Sequence, residues 1–220
     1  MLNAAYLTTG FVVLAVGARY LLAGKHVEDA RTMMRMGLWL MAILAPLQLF
    51  IGDQHGLNTL QYQPIKIAAI EAHWDGSKPG DLVLFAWPDE KAEKNLYEIA
   101  IPRGASLILR HDPNGLFPGL TSVPPQDRPP VLNAFFGFRI MVGIGLYMIA
   151  AALFGCLLWW RGTLFETRWY LRIVSWTWWS GFVAVIAGWV VTESGRQPWI
   201  VHGLLRTADA ISPVPAASLL

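Results

Sequence analysis

The residues best placed to do chemistry close an apolar run near the C-terminal end. They read Trp189-Val190-Val191-Thr192-Glu193-Ser194-Gly195-Arg196-Gln197-Pro198-Trp199. Trp189 and Glu193 are four apart, so on a helix they share one face. Gly195 suits the left-handed residue that ends a helix, and Pro198 would stop the helix continuing. Glu193 and Arg196 are then expected where hydrocarbon gives way to headgroups. A carboxylate there can ligate a metal or pair with a cation. An arginine there can hold a carboxylate or phosphate through two parallel hydrogen bonds. The plainer alternative is an interfacial cap with snorkelling charges.

A second candidate lies at the start of another apolar run, Phe135-Phe136-Gly137-Phe138-Arg139-Ile140-Met141-Val142-Gly143-Ile144-Gly145. Gly137, Met141 and Gly145 are spaced by four and share a helix face. A thioether flanked by two positions without side chains admits a flat ligand such as haem, with the Met141 sulfur as an axial donor. Arg139, two residues away, points elsewhere and reaches a propionate only around the helix. The competing reading is a small-residue helix contact with a filler methionine, which is the simpler one for this motif alone. Lys66 and Glu71 are five apart and do not share a helix face, yet they can converge on a quinone ring as proton donor and acceptor. On spacing alone a solvated surface helix is the better reading of them. His55 and His73 have no partner at metal-ligand spacing. No phosphate loop, Ser/His/Asp signature or cysteine pair occurs.

Those residues need membrane elements to position them. Of 220 residues, 55% are hydrophobic, 15% are charged and 11 are Trp, a balance that a soluble domain seldom shows. The net charge of +2, with no basic patch, excludes a nucleic-acid partner. Cys156 is the single cysteine, so neither an internal disulfide nor a cysteine metal site can form. Spans are expected over 2–24, 36–51, 134–160 and 173–191, each about the length that crosses hydrocarbon, with 36–51 short and interrupted by Pro46. Between the second and third lies a long polar insertion. Pro64 opens a short helix through Trp74, and strands are expected over 81–87, 95–101 and 106–110. The two short loops, 25–35 and 161–172, are basic and therefore cytoplasmic; the insertion and the Glu193 end then lie together outside. The division is 1–51 (two spans), 52–132 (outer loop), 133–193 (two spans) and 194–220 (outer tail), an all-α membrane fold with a few short strands. Met1 enters the first span with no leader, so the chain is expected to be a piece or an internal start.

With these motifs in order, the sequence resembles subunit I of the cytochrome bd-type quinol oxidases, and is most similar to the cyanide-insensitive branch. The resemblance rests on Gly52-Asp53-Gln54-His55-Gly56, Lys66-Ile67-Ala68-Ala69-Ile70-Glu71, Phe138-Arg139-Ile140-Met141-Val142-Gly143 and Gly195-Arg196-Gln197-Pro198-Trp199, and covers essentially the whole chain. It implies a multi-pass subunit of the bacterial inner membrane that works with a subunit II, takes electrons from ubiquinol and reduces dioxygen to water. It implies three haems: a low-spin b, a high-spin b and a d. Met141 then resembles the axial ligand of the low-spin haem iron, with Arg139 beside it. Glu193 resembles the ligand of the high-spin haem iron, Trp189 the tryptophan between haems, and Arg196 a propionate partner. Lys66 and Glu71 resemble the residues of the quinol-binding loop, which is here the 52–132 insertion on the periplasmic side.

The physics accords with those roles. A neutral thioether favours ferrous iron. A guanidinium about 6 Å away, at an effective dielectric near 20, changes the redox energy by about 3 kcal/mol. A hard carboxylate favours ferric iron instead. Family members are about twice as long, and the resemblance puts a histidine partner of Met141 just before Met1. The chain alone is therefore expected neither to hold three haems nor to reduce oxygen. A non-enzymatic quinone-binding or assembly module derived from the subunit is the alternative. A four-span transporter is weaker, since the sequence shows no broken-helix pair.

Overall fold

The structure, a computed structural model, describes residues 2–210. The chain divides into two compact units: one of Met1–His55 with Arg139–Gly188, the other of Gly56–Phe138 with Trp189–Leu220.

The first unit is helical. α1 (Leu2–Ala23) turns through Gly24 and His26, both at positive φ, into α2 (Val27–Tyr62). Glu28 and Asp29 favour the start of α2 by opposing the helix dipole. α1 and α2 press close: a Cβ on Gly37 would stand 2.9 Å from the Gly10 carbonyl and 3.0 Å from Leu14 N. That backbone approach is how apolar helices gain contact without a hydrophobic drive between them. α5 (Val131–Trp160), α6 (Arg168–Trp176) and α7 (Ser180–Arg196) follow later in the chain. Phe11, Leu14, Met34, Leu38, Met41, Leu171 and Val174 fill the core of this unit.

Two spans differ from the sequence expectation. The second is not 36–51 but a 36-residue helix, about 54 Å long at 1.5 Å per residue. Pro46 is accommodated inside it, and Gly52 and Gly56 do not end it. What ends it is Pro64, whose ring forces Gln63 out of helical geometry, to φ −139° and ψ 63°. The fourth span, read as one helix over 173–191, is α6 and α7, bent by 42°. The break falls at Thr177, whose hydroxyl donates to the Ile173 carbonyl at 2.9 Å and pairs with the Tyr147 hydroxyl. Such back-bonding competes with the helical ladder. One span is therefore broken, where the sequence reading has a single straight helix. α1, α2 and the segment Pro125–Trp160 are long and apolar enough to cross a membrane, and the bent pair raises that number from three to four among the described residues.

The second unit contains α3 (Pro64–Glu71), a hairpin of β1 (Leu82–Asp89) and β2 (Lys94–Ile101), α4 (Gly104–Arg110), and a small hairpin of β3 (Trp199–Val201) and β4 (Leu205–Arg206). α3 stops three residues before Trp74. Ala72 takes the left-handed conformation, and the His73 N–H donates to the Ala68 carbonyl at 2.8 Å. β1 and β2 pair antiparallel from Leu82↔Ile101 to Asp89↔Lys94, and Asp89 Oδ1 accepts from Lys91 N and Ala92 N in the turn. The expected strand over 106–110 is instead the helix α4. Pro102 offers no N–H to extend the ladder, Arg103 turns left-handed, and the Ser106 hydroxyl accepts from Gly80 N at 2.8 Å. Ile67, Ile70, Trp74, Val83, Phe117, Leu120 and Phe135 form the core. Arg128–Glu93 (2.6 Å), Arg206–Asp127 and Glu90 Oε1, which accepts from Val131 N at 2.8 Å, tie the loops together. Residues 211–220 of the tail lie outside the described residues.

Candidate functional site

In the second unit the end of α7 and the start of α3 bring four sequence-selected residues to one place. Trp189 and Glu193 share a face of α7, and the indole Nε1 donates to Glu193 Oε1 at 3.4 Å. Arg196 Nη2 donates to Glu193 Oε2 at 2.5 Å. Both charged side chains are about half exposed. An exposed i,i+3 pair contributes only about 0.5 kcal/mol, so the carboxylate can exchange the guanidinium for another partner at little cost.

Lys66 comes from α3. Its Nζ donates to the Thr192 carbonyl at 3.4 Å. Its stem lies on Gly195: a Cβ there would stand 3.1 Å from both Lys66 Cγ and Lys66 Cε. The expected left-handed cap at Gly195 is therefore corrected. The glycine lies inside α7, which runs to Arg196, and its service is room for the lysine. Burial pushes the Lys66 ammonium below its usual range; Glu193 opposes the shift and Arg196 reinforces it. Glu71, five residues on, is buried at 6% exposure, whereas Lys66 is half-buried. The structure thus groups Lys66 with Glu193 and Arg196 and packs Glu71 into the inner side of α3.

A cleft of about 200 Å³ opens beside this group, lined by Gln63, Lys66, Asp127, Arg196, Gln197 and His202, among others. Asp127 already accepts from Arg206, which also lies over the Trp199 ring at 5.2 Å. The remaining cations, Lys66 and Arg196, suit an anionic or hydrogen-bonding ligand. Gln63, Asp127 and His202 escaped the sequence reading. They come from a helix–helix joint, a 3₁₀ turn and a hairpin tip, and no local spacing marks them.

In the first unit Met141 sits half-buried on α5, two residues after Arg139, also half-buried. Its sulfur faces α7: a Cβ on Gly188 would stand 2.7 Å from Met141 Sδ. Open space lies at Gly145, one turn further on the Met141 face, where a Cβ would meet nothing within 4 Å. A planar group fits beside that glycine. Among the described residues no three His, Cys, Asp or Glu side chains converge as a metal site. A lone thioether, or a lone carboxylate, suits an iron that brings four equatorial ligands of its own.

Comparison with known proteins gives this arrangement its context. The family model described as "Cytochrome bd terminal oxidase subunit I" matches residues 1–220. The chain is 36% identical over 225 residues to the cytochrome bd ubiquinol oxidase subunit 1 of Bacillus subtilis (strain 168), covering 97% of this chain and 48% of that one. It is 26% identical to the cytochrome bd-II ubiquinol oxidase subunit 1 of Escherichia coli (strain K12), covering 98% and 55%. The bd oxidase structure from Geobacillus thermodenitrificans superposes with a TM-score of 0.85 at 28% identity, covering 98% of this chain and 50% of that one. The chain spans about half the length of the curated relatives it matches. A match that runs through every motif, with the same fold, settles the family: this chain belongs to the cytochrome bd terminal oxidase subunit I family.

Proposed function

We propose that the chain is part of the haem-bearing subunit of a bacterial quinol oxidase and contributes haem-binding and quinol-binding residues to it. The observation that carries the reading is the meeting of Lys66 and Arg196 at one cleft, with Glu193 paired to Arg196 beside it, in a chain whose every motif lies within the family match. When bound, haems b and d supply the electron carriers and the oxygen-reducing iron. Met141 offers its thioether to the low-spin haem iron, and Arg139 adds positive charge beside it. Glu193 would be the residue to ligate the high-spin haem iron, and Arg196 the one to hold a propionate. Trp189 keeps the carboxylate oriented through its indole N–H. Lys66 donates a hydrogen bond from its ammonium to a quinol oxygen while the quinol gives up two electrons and releases its two protons to the outer water. Glu71, buried behind it, positions α3. The basic short loops face the cytoplasm and the 63–130 segment faces the periplasm, so quinol protons leave on the outer side. Subunit II and the quinol are the partners of the complex.

The test is Lys66→Met and Glu193→Ala in the membrane-bound oxidase. Lys66→Met lowers quinol oxidation by about 10²-fold with haem content intact, as expected for a lost hydrogen-bond donor to the quinol oxygen. Glu193→Ala removes high-spin haem signal. Full quinol turnover in Lys66→Met would overturn the assignment of Lys66.

A further inference from the structure

The two short loops of the first unit hold more positive charge than the fold itself uses. They carry Lys25, Arg31, Arg35, Arg161, Arg168 and Arg172 against Glu28, Asp29 and Glu166. One ring holds two of them: the guanidinium carbons of Arg31 and Arg35 lie 5.5 and 5.4 Å from the centroid of Phe165. Phe165 belongs to the α5–α6 loop and packs on the core, so it fixes that loop beside α2. Arg31 is engaged by Glu28 at 2.8 Å. Arg35, Arg161, Arg168 and Arg172 are exposed and make no ion pair among the described residues. Like charges held at one ring, as Arg31 and Arg35 are, repel, and an anion beside them reduces that repulsion.

An apolar track leads away from this group. Trp39, Ile43, Leu47 and Phe50 follow Arg35 at helical spacing on α2, and Trp39, Ile43 and Phe50 are 58%, 59% and 63% exposed. From Trp39 to Phe50 the track is about 16 Å long, close to the half-thickness of about 15 Å of a hydrocarbon core. The exposed indoles of Trp160 and Trp169 stand beside Arg161 and Arg168, at the level where interfacial tryptophans collect. Cation, indole and an apolar track one leaflet deep reproduce, in order, a phosphate, a glycerol backbone and an acyl chain.

We propose that this end of the first unit binds an anionic phospholipid. Its phosphate sits between Arg35 and the arginines Arg161 and Arg168 that flank the α5–α6 loop, and one acyl chain lies on the Trp39–Phe50 face of α2. A protein partner would need carboxylates set against four unpaired arginines as well as an apolar strip one leaflet long; an anionic lipid supplies both features in one molecule.

The protein, in the assembly in which it is purified, is reconstituted into phosphatidylcholine vesicles. A minor fraction of either brominated phosphatidylglycerol or brominated phosphatidylcholine is added, and tryptophan fluorescence is read. Brominated phosphatidylglycerol quenches more strongly, and Trp39→Phe removes most of the excess. Arg35→Gln weakens the phosphatidylglycerol effect about fivefold, and Arg35→Lys restores it. Arg168→Gln, on an exposed position, gives a parallel loss and carries the test should Arg35→Gln fail to assemble. Equal quenching by the two lipids overturns the proposal, as does an excess unaffected by Arg168→Gln. Displacement of the lipid by inorganic phosphate at matched concentration marks a free-anion site and overturns the lipid assignment.

Discussion

At the scale of single residues, the account depends on Gly195 more than its size implies. The glycine lets the Lys66 stem lie on α7, which holds the ammonium near Glu193 and Arg196. Gly195→Val is therefore expected to reproduce the Lys66→Met defect in quinol oxidation without touching a charged group, as steady-state kinetics would show. Gly195→Ala needs a shift of only a few tenths of an ångström and is expected to be milder. A second residue-scale expectation concerns His73. Its ring lies on Phe117, with centroids 4.4 Å apart, and burial lowers its pKa from 6.5 despite the opposing charge of Asp75. The folded loop thus holds the histidine neutral, while the unfolded chain protonates it as pH falls through 6.5. The associated stability is complete above that pH and declines below it. The protection of the amides of residues 68–74 and 117–121, taken relative to their intrinsic exchange rate at each pH, is expected to fall between pH 7.5 and pH 5.5, and His73→Gln to flatten the dependence.

At the scale of elements, the sequence marked α1, α3, α5, β1 and β2 well because their starts and stops are written in local chemistry: Pro64 before α3, an unbroken apolar run in α5, a short apolar and aromatic run between Gly80 and Pro88 in β1. It misjudged α2, α4 and the α6–α7 bend. The end of α2 depends on how far Pro64 reaches back, α4 on a hydroxyl from Ser106 to a distant loop, and the bend on Tyr147 meeting Thr177 across 30 residues. Trp189, Glu193 and Arg196 were legible as a group because they share one helix turn. Lys66 was not legible as their neighbour, since it arrives from α3. Phe117, 2% exposed beneath Gly80, anchors the second unit. Phe117→Ala is expected to cost about 3–5 kcal/mol, seen as faster limited proteolysis of the segment 75–122.

At the scale of the whole molecule, the claim is that two donors from separate membrane helices, Met141 and Glu193, serve a haem oxidase. Their environments already differ: the thioether packs on Gly188, and the carboxylate shares two hydrogen bonds with an indole and a guanidinium. Topology has its own check. After Cys156→Ala, a cysteine at Ser122 is expected to react with an impermeant maleimide from outside, and one at Gly162 only after permeabilisation. The most direct measurement is the reduced-minus-oxidised haem spectrum of membranes carrying the chain in its native assembly, compared with Met141→Ala and Glu193→Ala. The account predicts that Met141→Ala loses the low-spin b band while Glu193→Ala keeps it and loses high-spin signal. Two variant spectra identical to the parent's would contradict it.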